Sequence, residues 1–158
     1  MTFLIFRSIL YAAGFIWLWI WLATPLRHFD EGLSTMPAWA NPAGWSALAA
    51  GAVLALWCIA TFIVRGRGTP AIFDAPRRLV AAGPYRYVRN PMYIGAGLAV
   101  IGAAIVYHSW ALAVYVLVLA VLLNLLISSY EEPTLTRMFG AEYEAYKAAV
   151  PRWIPRWP

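Results

Sequence analysis

"PMYIGAGLAVIGAAIVYHSWALAVYVLVLAVLLNLLISSYEEP", residues 91–133, contains two apolar runs, a two-residue break and a pair of acids. A helix crossing a hydrocarbon core of about 30 Å needs around 20 apolar residues. The runs 92–107 and 110–130 approach that length, and only His108 and Ser109 separate them. Such spacing predicts a tight helical hairpin with Tyr107 and Trp110 at the membrane interface.

Two further runs, 3–23 and 43–64, have the same character. "AWA" at 38–40 lies too far beyond the first run for a signal-peptide site, and that run is too long and Trp-rich for an h-region, so a permanent span is expected. Of the 158 residues 63% are hydrophobic and only 12% are charged, too apolar for a soluble globule of this size. The expected fold is an all-α integral membrane protein in a single domain, 1–158. It has four transmembrane helices, the third and fourth forming a tight hairpin, and a C-terminal amphipathic cytoplasmic helix. The formal net charge of +5 then belongs with cytoplasmic loops and anionic headgroups, so the lipid bilayer is the expected partner and no nucleic acid is.

Charge also assigns the sides. The connector 65–91 carries Arg65, Arg67, Arg77, Arg78, Arg86 and Arg89 against Asp74 alone, whereas the loop 24–42 has Arg27 against Asp30 and Glu31. By the positive-inside rule the connector is cytoplasmic. Four spans return the tail 131–158, with Arg137, Lys147, Arg152 and Arg156, to that side, and both termini become cytoplasmic in a cell (inner) membrane. Connector and tail can therefore meet over one site. Cys58, the single cysteine, lies within an apolar run and reads as a small buried hydrophobe. Ala47, Gly51 and Ala55 in the second span, with Gly95, Ala99 and Ala103 in the third, favour close helix contact. His28 and His108 fall in the outer loop and hairpin, away from the connector, and no metal is expected.

Two motifs carry chemistry. In "GPYRYVRNPMYIG", 83–95, Asn90 and Pro91 suit an N-cap and a first helical position. A helix start there leaves backbone N–H groups and a positive dipole end facing the connector, where an anionic group is welcome beside Arg86 and Arg89. Tyr85, Tyr87 and Tyr93 add aromatic surface. In "NLLISSYEEPTL", 124–135, continuing the fourth helix puts Asn124, Ser128 and Glu131 or Glu132 on one face. Asn124 on its own reads as interhelical glue. Paired acids at a helix C-terminus oppose its dipole, so a cation is expected beside them. Pro133 is expected to turn the chain, and Phe139, Tyr143, Tyr146 and Val150 recur at helical spacing with Gly140 as the candidate break. "VPRWIPRWP" supplies Trp153 and Trp157 as interfacial anchors of a tied-down lid.

These two motifs, with "EEPTLTRMFGAEYEAYKAAVPRWIP" at 131–155, resemble the membrane methyltransferase family of isoprenylcysteine carboxyl methyltransferases and phospholipid (phosphatidylethanolamine) N-methyltransferases. The likeness covers roughly residues 65–155. "NPMY" with "YEEP" resembles the phospholipid branch, and the tail after Gly140 resembles the isoprenylcysteine branch. The latter usually has His where this chain has Asn90, and an Arg about one turn before the acids, where this chain has Ile127 and Ser128.

The resemblance implies an S-adenosyl-L-methionine site facing the cytoplasm, opening on the lipid side to a membrane lipid or lipophilic substrate, a phospholipid amine or a prenylcysteine-like carboxylate. Its implied cofactor residues are Gly83, Pro84, Tyr85, Arg86, Arg89, Asn90, Tyr93, Gly95, Glu132, Tyr143 and Tyr146, with Glu131 and Glu132 catalytic. Arginine or the helix start suits the cofactor's carboxylate, tyrosine faces suit its adenine, and acidic or aromatic groups suit its sulfonium. The competing expectations are a nicotinamide-dependent membrane reductase related to sterol reductases and a non-catalytic membrane scaffold.

Overall fold

The computed structural model describes Leu10, Gly14, Trp21 and residues 24–30, 41–66 and 78–155. Most of the expected first span lies outside the described residues, as do Arg67, Asp74, Arg77, Arg156 and Trp157. Every regular element among the described residues is helical.

Helix α1, Asn41–Thr61, runs on through a π turn, Phe62–Gly66. Helix α2, Pro91–Val106, and helix α3, Trp110–Leu126, form the expected hairpin through Tyr107, His108 and Ser109. A π turn, Ile127–Glu131, carries α3 directly into α4, Glu132–Phe139, and α5, Ala141–Ala149, follows. The protein is an integral membrane protein. Asn41–Gly66 and Trp110–Phe139 are long and apolar enough to cross a membrane, whereas the 16 residues of α2 reach only about 24 Å.

Glycine sets the distance between α1 and α2. A Cβ at Gly51 would lie 2.5 Å from the Gly95 carbonyl oxygen and 2.5 Å from the Ala99 nitrogen. One at Gly102 would run into the Leu48 nitrogen and the Gly44 carbonyl. The small-residue faces legible in the sequence are thus the α1–α2 seam, extended by Gly44 and Gly102. Without a hydrophobic drive between helices in lipid, this close backbone approach is what holds the pair together.

At the far end of the hairpin Ser109 caps α3, its hydroxyl accepting from the Leu112 nitrogen at 3.1 Å. Asp30, closing the 3-10 turn Thr24–Asp30, accepts from Ser109 Oγ and, at 2.9 Å, from the Ala111 nitrogen. A carboxylate is well placed here, because a helix N-terminus presents unpaired donors and a positive dipole end. Tyr107 and Trp110 remain exposed beside it.

Pro133 does not turn the chain as the sequence suggests. The Glu132 nitrogen donates to the Ile127 carbonyl, so the helix is one residue wider immediately before the proline. That widening relieves the clash between a proline ring and the carbonyl four residues back. The direction changes instead at Gly140, whose φ of 53° lies where a side chain is strained.

Candidate functional site

The connector's last part folds against α1 before α2 begins. Gly83 has a φ of 56°, and a Cβ there would meet Thr61 Oγ1 at 2.8 Å, so the turn requires glycine for both conformation and contact. Pro84 and Tyr85 continue as a buried 3-10 turn, Gly83–Arg86. Tyr85 packs with Cys58 and Val80, and its ring meets Phe62 edge-on at 5.1 Å. Cys58 is fully buried in this cluster, as its apolar setting implied.

From this platform the chain reaches Arg89 and Asn90, where connector and tail meet. The Tyr146 hydroxyl of α5 donates to the Tyr85 carbonyl at 2.6 Å, and the Arg89 nitrogen donates to the Pro151 carbonyl at 2.9 Å. Glu132 lies between two cations. Arg152 donates from Nε to Oε1 at 2.9 Å and from Nη2 to Oε2 at 2.8 Å, and Arg89 Nη1 stands 3.1 Å from Oε1. Arg89 and Glu132 are only 11% and 13% exposed, so this pair is shielded from water as surface pairs are not. The cation expected beside the acids is therefore two cations.

Arg89 is close enough for an ion pair but poorly aligned, since its Nε and Nη1 find no hydrogen-bond acceptor among the described residues. Asn90 is 7% exposed; its side chain makes no capping bond to α2, and Nδ2 also finds no acceptor. Buried polar groups are normally satisfied, so unmet donors gathered at one place suit an acceptor-bearing ligand such as a carboxylate.

Glu131 has different surroundings: Tyr93 of α2 donates to its Oε2 at 3.1 Å. Adjacent in sequence, the two acids bond to different elements. Tyr143 is buried; burial, reinforced by Glu132 and opposed by Arg89, pushes its phenol up to about 12. Burial likewise raises Tyr146, so both phenols stay protonated. Beside Glu132 an open groove of about 510 Å³ is lined by Thr136, Arg137, Glu144 and Lys147 among others.

Of the residues expected from sequence, the structure gathers Tyr85, Arg89, Asn90, Glu132, Tyr143 and Tyr146 where connector and tail meet, with Tyr93 and Glu131 paired nearby. Gly83 and Pro84 shape the turn beneath. Arg86 is exposed, its guanidinium 5.6 Å from the exposed Tyr87 ring, and Gly95 lies in the α1–α2 seam. Ser128 is exposed and bonded to its own helix at Asn124 O and Leu125 O, and it lines the groove beside Glu132. Sequence reasoning did not single out Arg152, although the demand for a cation beside the acids was the signal for one. Nor did it give Asn124 its observed partners, Arg152 and Trp153.

A family model described as phospholipid methyltransferase matches residues 39–142, from just before α1 to the start of α5. The chain belongs to the phospholipid methyltransferase family, as its two motifs suggested. By class it is a membrane methyltransferase. No curated protein and no solved structure matches the chain.

Proposed function

We propose that this chain is an S-adenosyl-L-methionine-dependent methyltransferase whose site faces the cytoplasm and whose acceptor is a lipid or lipophilic small molecule. The observation that carries the reading is the closure of connector on tail around Glu132, which leaves Nε and Nη1 of Arg89 and Nδ2 of Asn90 with no hydrogen-bond acceptor among the described residues, Nη1 keeping only its ion-pair contact with Glu132. A cofactor bearing an amino-acid carboxylate supplies those acceptors. The cytoplasmic side rests on the arginine content of the connector sequence, whose described end, 78–90, meets the tail.

When bound, the cofactor supplies an electrophilic methyl group on a sulfonium. The protein must hold acceptor and methyl in line and keep water away. Glu132, held by Arg152 and Arg89, positions the Arg89 guanidinium at the site. Tyr143 and Tyr146 close the tail over the site as neutral phenols, and the half-buried Tyr146 offers a ring face for an adenine. Glu131 has one neutral partner, Tyr93, and is the better candidate for work on the acceptor. An amine attacks as the free base, so Glu131 would accept the proton of the acceptor's ammonium and so free the nitrogen lone pair for attack. A carboxylate acceptor would need no such base, and both acids would repel it.

Purified protein should be incubated with methyl-labelled S-adenosyl-L-methionine and a total lipid extract from its source. The reading expects label in a lipid-soluble product identifiable by mass, and cofactor binding that excess NADPH does not displace. No labelled product from any lipid fraction, with NADPH bound in preference, would replace it with the reductase reading.

A further inference from the structure

We propose that residues 150–153 form a positioning strap for the Arg89–Glu132 pair, and that Asn124 is the peg to which the strap is fastened. The cofactor part of this proposal rests on the function proposed above; the strap itself does not. It lies outside the matched segment, which ends at residue 142.

Asn124 sits in "VLLNLLI", where an amide is costly unless satisfied. Its Oδ1 accepts from Arg152 Nη1 at 3.2 Å and from Trp153 Nε1 at 3.1 Å, so both donors come from the tail rather than from a neighbouring helix. The π turn makes this possible. Glu132 lies eight residues beyond Asn124, and a turn that takes up one extra residue brings it back near the face of Asn124, since two α turns span about seven residues. One guanidinium can then reach both side chains.

Arg152 uses this alignment fully, with Nη1 on Asn124 and Nε and Nη2 on the two oxygens of Glu132. A planar fork fixes all three at once; a lysine ammonium is a single point and cannot. The strap holds the other partner as well, because the Pro151 carbonyl accepts from the Arg89 nitrogen. Val150 is buried at its start. Thus one short segment touches both the acid and the base of the pair. Arg152 and Asn124 are positioning residues, acting on a ligand through Glu132 and Arg89.

Hydrogen exchange and equilibrium S-adenosyl-L-methionine binding should be measured on the full chain for wild type, Arg152→Ala, Arg152→Lys, Asn124→Ala and the double variant Asn124→Ala/Arg152→Ala. Arg152→Lys keeps the charge and guards against loss of fold in the alanine variants. Exchange in the peptide containing the Arg89 amide should rise about tenfold in every variant, with the α1–α2 seam still protected. Cofactor affinity should fall about tenfold in each single variant, and the double variant should be no weaker than Arg152→Ala, since both act through one fastening. Wild-type protection of the Arg89 peptide in folded Arg152→Lys would overturn the strap, as would additive losses in the double variant. A wild type that binds no cofactor would remove the proposed function, while exchange alone would still decide the strap.

Discussion

Arg152 closes on both carboxylate oxygens of Glu132 across 20 residues of sequence, Nε to Oε1 at 2.9 Å and Nη2 to Oε2 at 2.8 Å. With Arg89 on the same acid, the end of the tail and the end of the connector share one carboxylate. Glu132→Ala therefore leaves two cations uncompensated, one of them largely buried. The expected loss is about 3 kcal/mol or more, read as a fall in the detergent unfolding midpoint. Glu144→Ala, which removes an exposed acid paired with Lys147, should leave that midpoint unchanged.

The α1–α2 seam makes a sharper contrast among glycines. Gly51→Leu places a side chain where a Cβ alone would lie 2.5 Å from backbone of α2, so the helices must separate. Loss of folded, monodisperse protein in size-exclusion chromatography is expected. Gly97 faces no atom within 4 Å, and Gly97→Ala should be neutral or stabilising by up to about 1 kcal/mol.

At the opposite end, Ser109 joins the α3 cap to Asp30. Ser109→Ala should cost about 1 kcal/mol in unfolding experiments. Because Glu132 is at the other end of the helix, cofactor affinity should not change. A large loss of affinity would mean that the hairpin end and the site are coupled.

Alkaline pH tests the packing of the tail. The Tyr143 phenol rises from 10.0 in the unfolded chain to about 12 in the fold, so between these values the folded state holds a proton that the unfolded state has released. Its contribution is complete below about pH 10 and lost as pH climbs toward 12. Stability should fall across that window, and Tyr143→Phe should make the fall shallower when unfolding is followed as a function of pH.

Much of this architecture was legible because lipid forces sequence into long apolar runs. The α2–α3 hairpin, the Gly51–Gly95 contact, the buried Cys58 and the break at Gly140 follow from hydropathy and small-residue spacing. Arg89, Asn90 and Glu132 were legible through the two motifs, and Tyr143 and Tyr146 through the helical spacing of the tail. Three features were not. A proline reads as a stop, yet the π turn before Pro133 carries the helix past it; π turns leave no periodic signature in a short apolar segment. Asn124 read as glue between helices because its partners, Arg152 and Trp153, are 28 and 29 residues away in a tail whose path no periodicity reveals. Arg86 and Arg89 look alike in sequence, and only the fold separates them, leaving Arg86 exposed and covering most of Arg89 with the tail.

The most direct test of the central claim, that connector and tail close a single cofactor site, is equilibrium binding of labelled S-adenosyl-L-methionine to purified wild type and Arg89→Ala. Saturable binding by wild type, weakened about a hundredfold in the variant, is the expected result. Equal affinity in the two proteins, or no saturable binding by wild type, would contradict it.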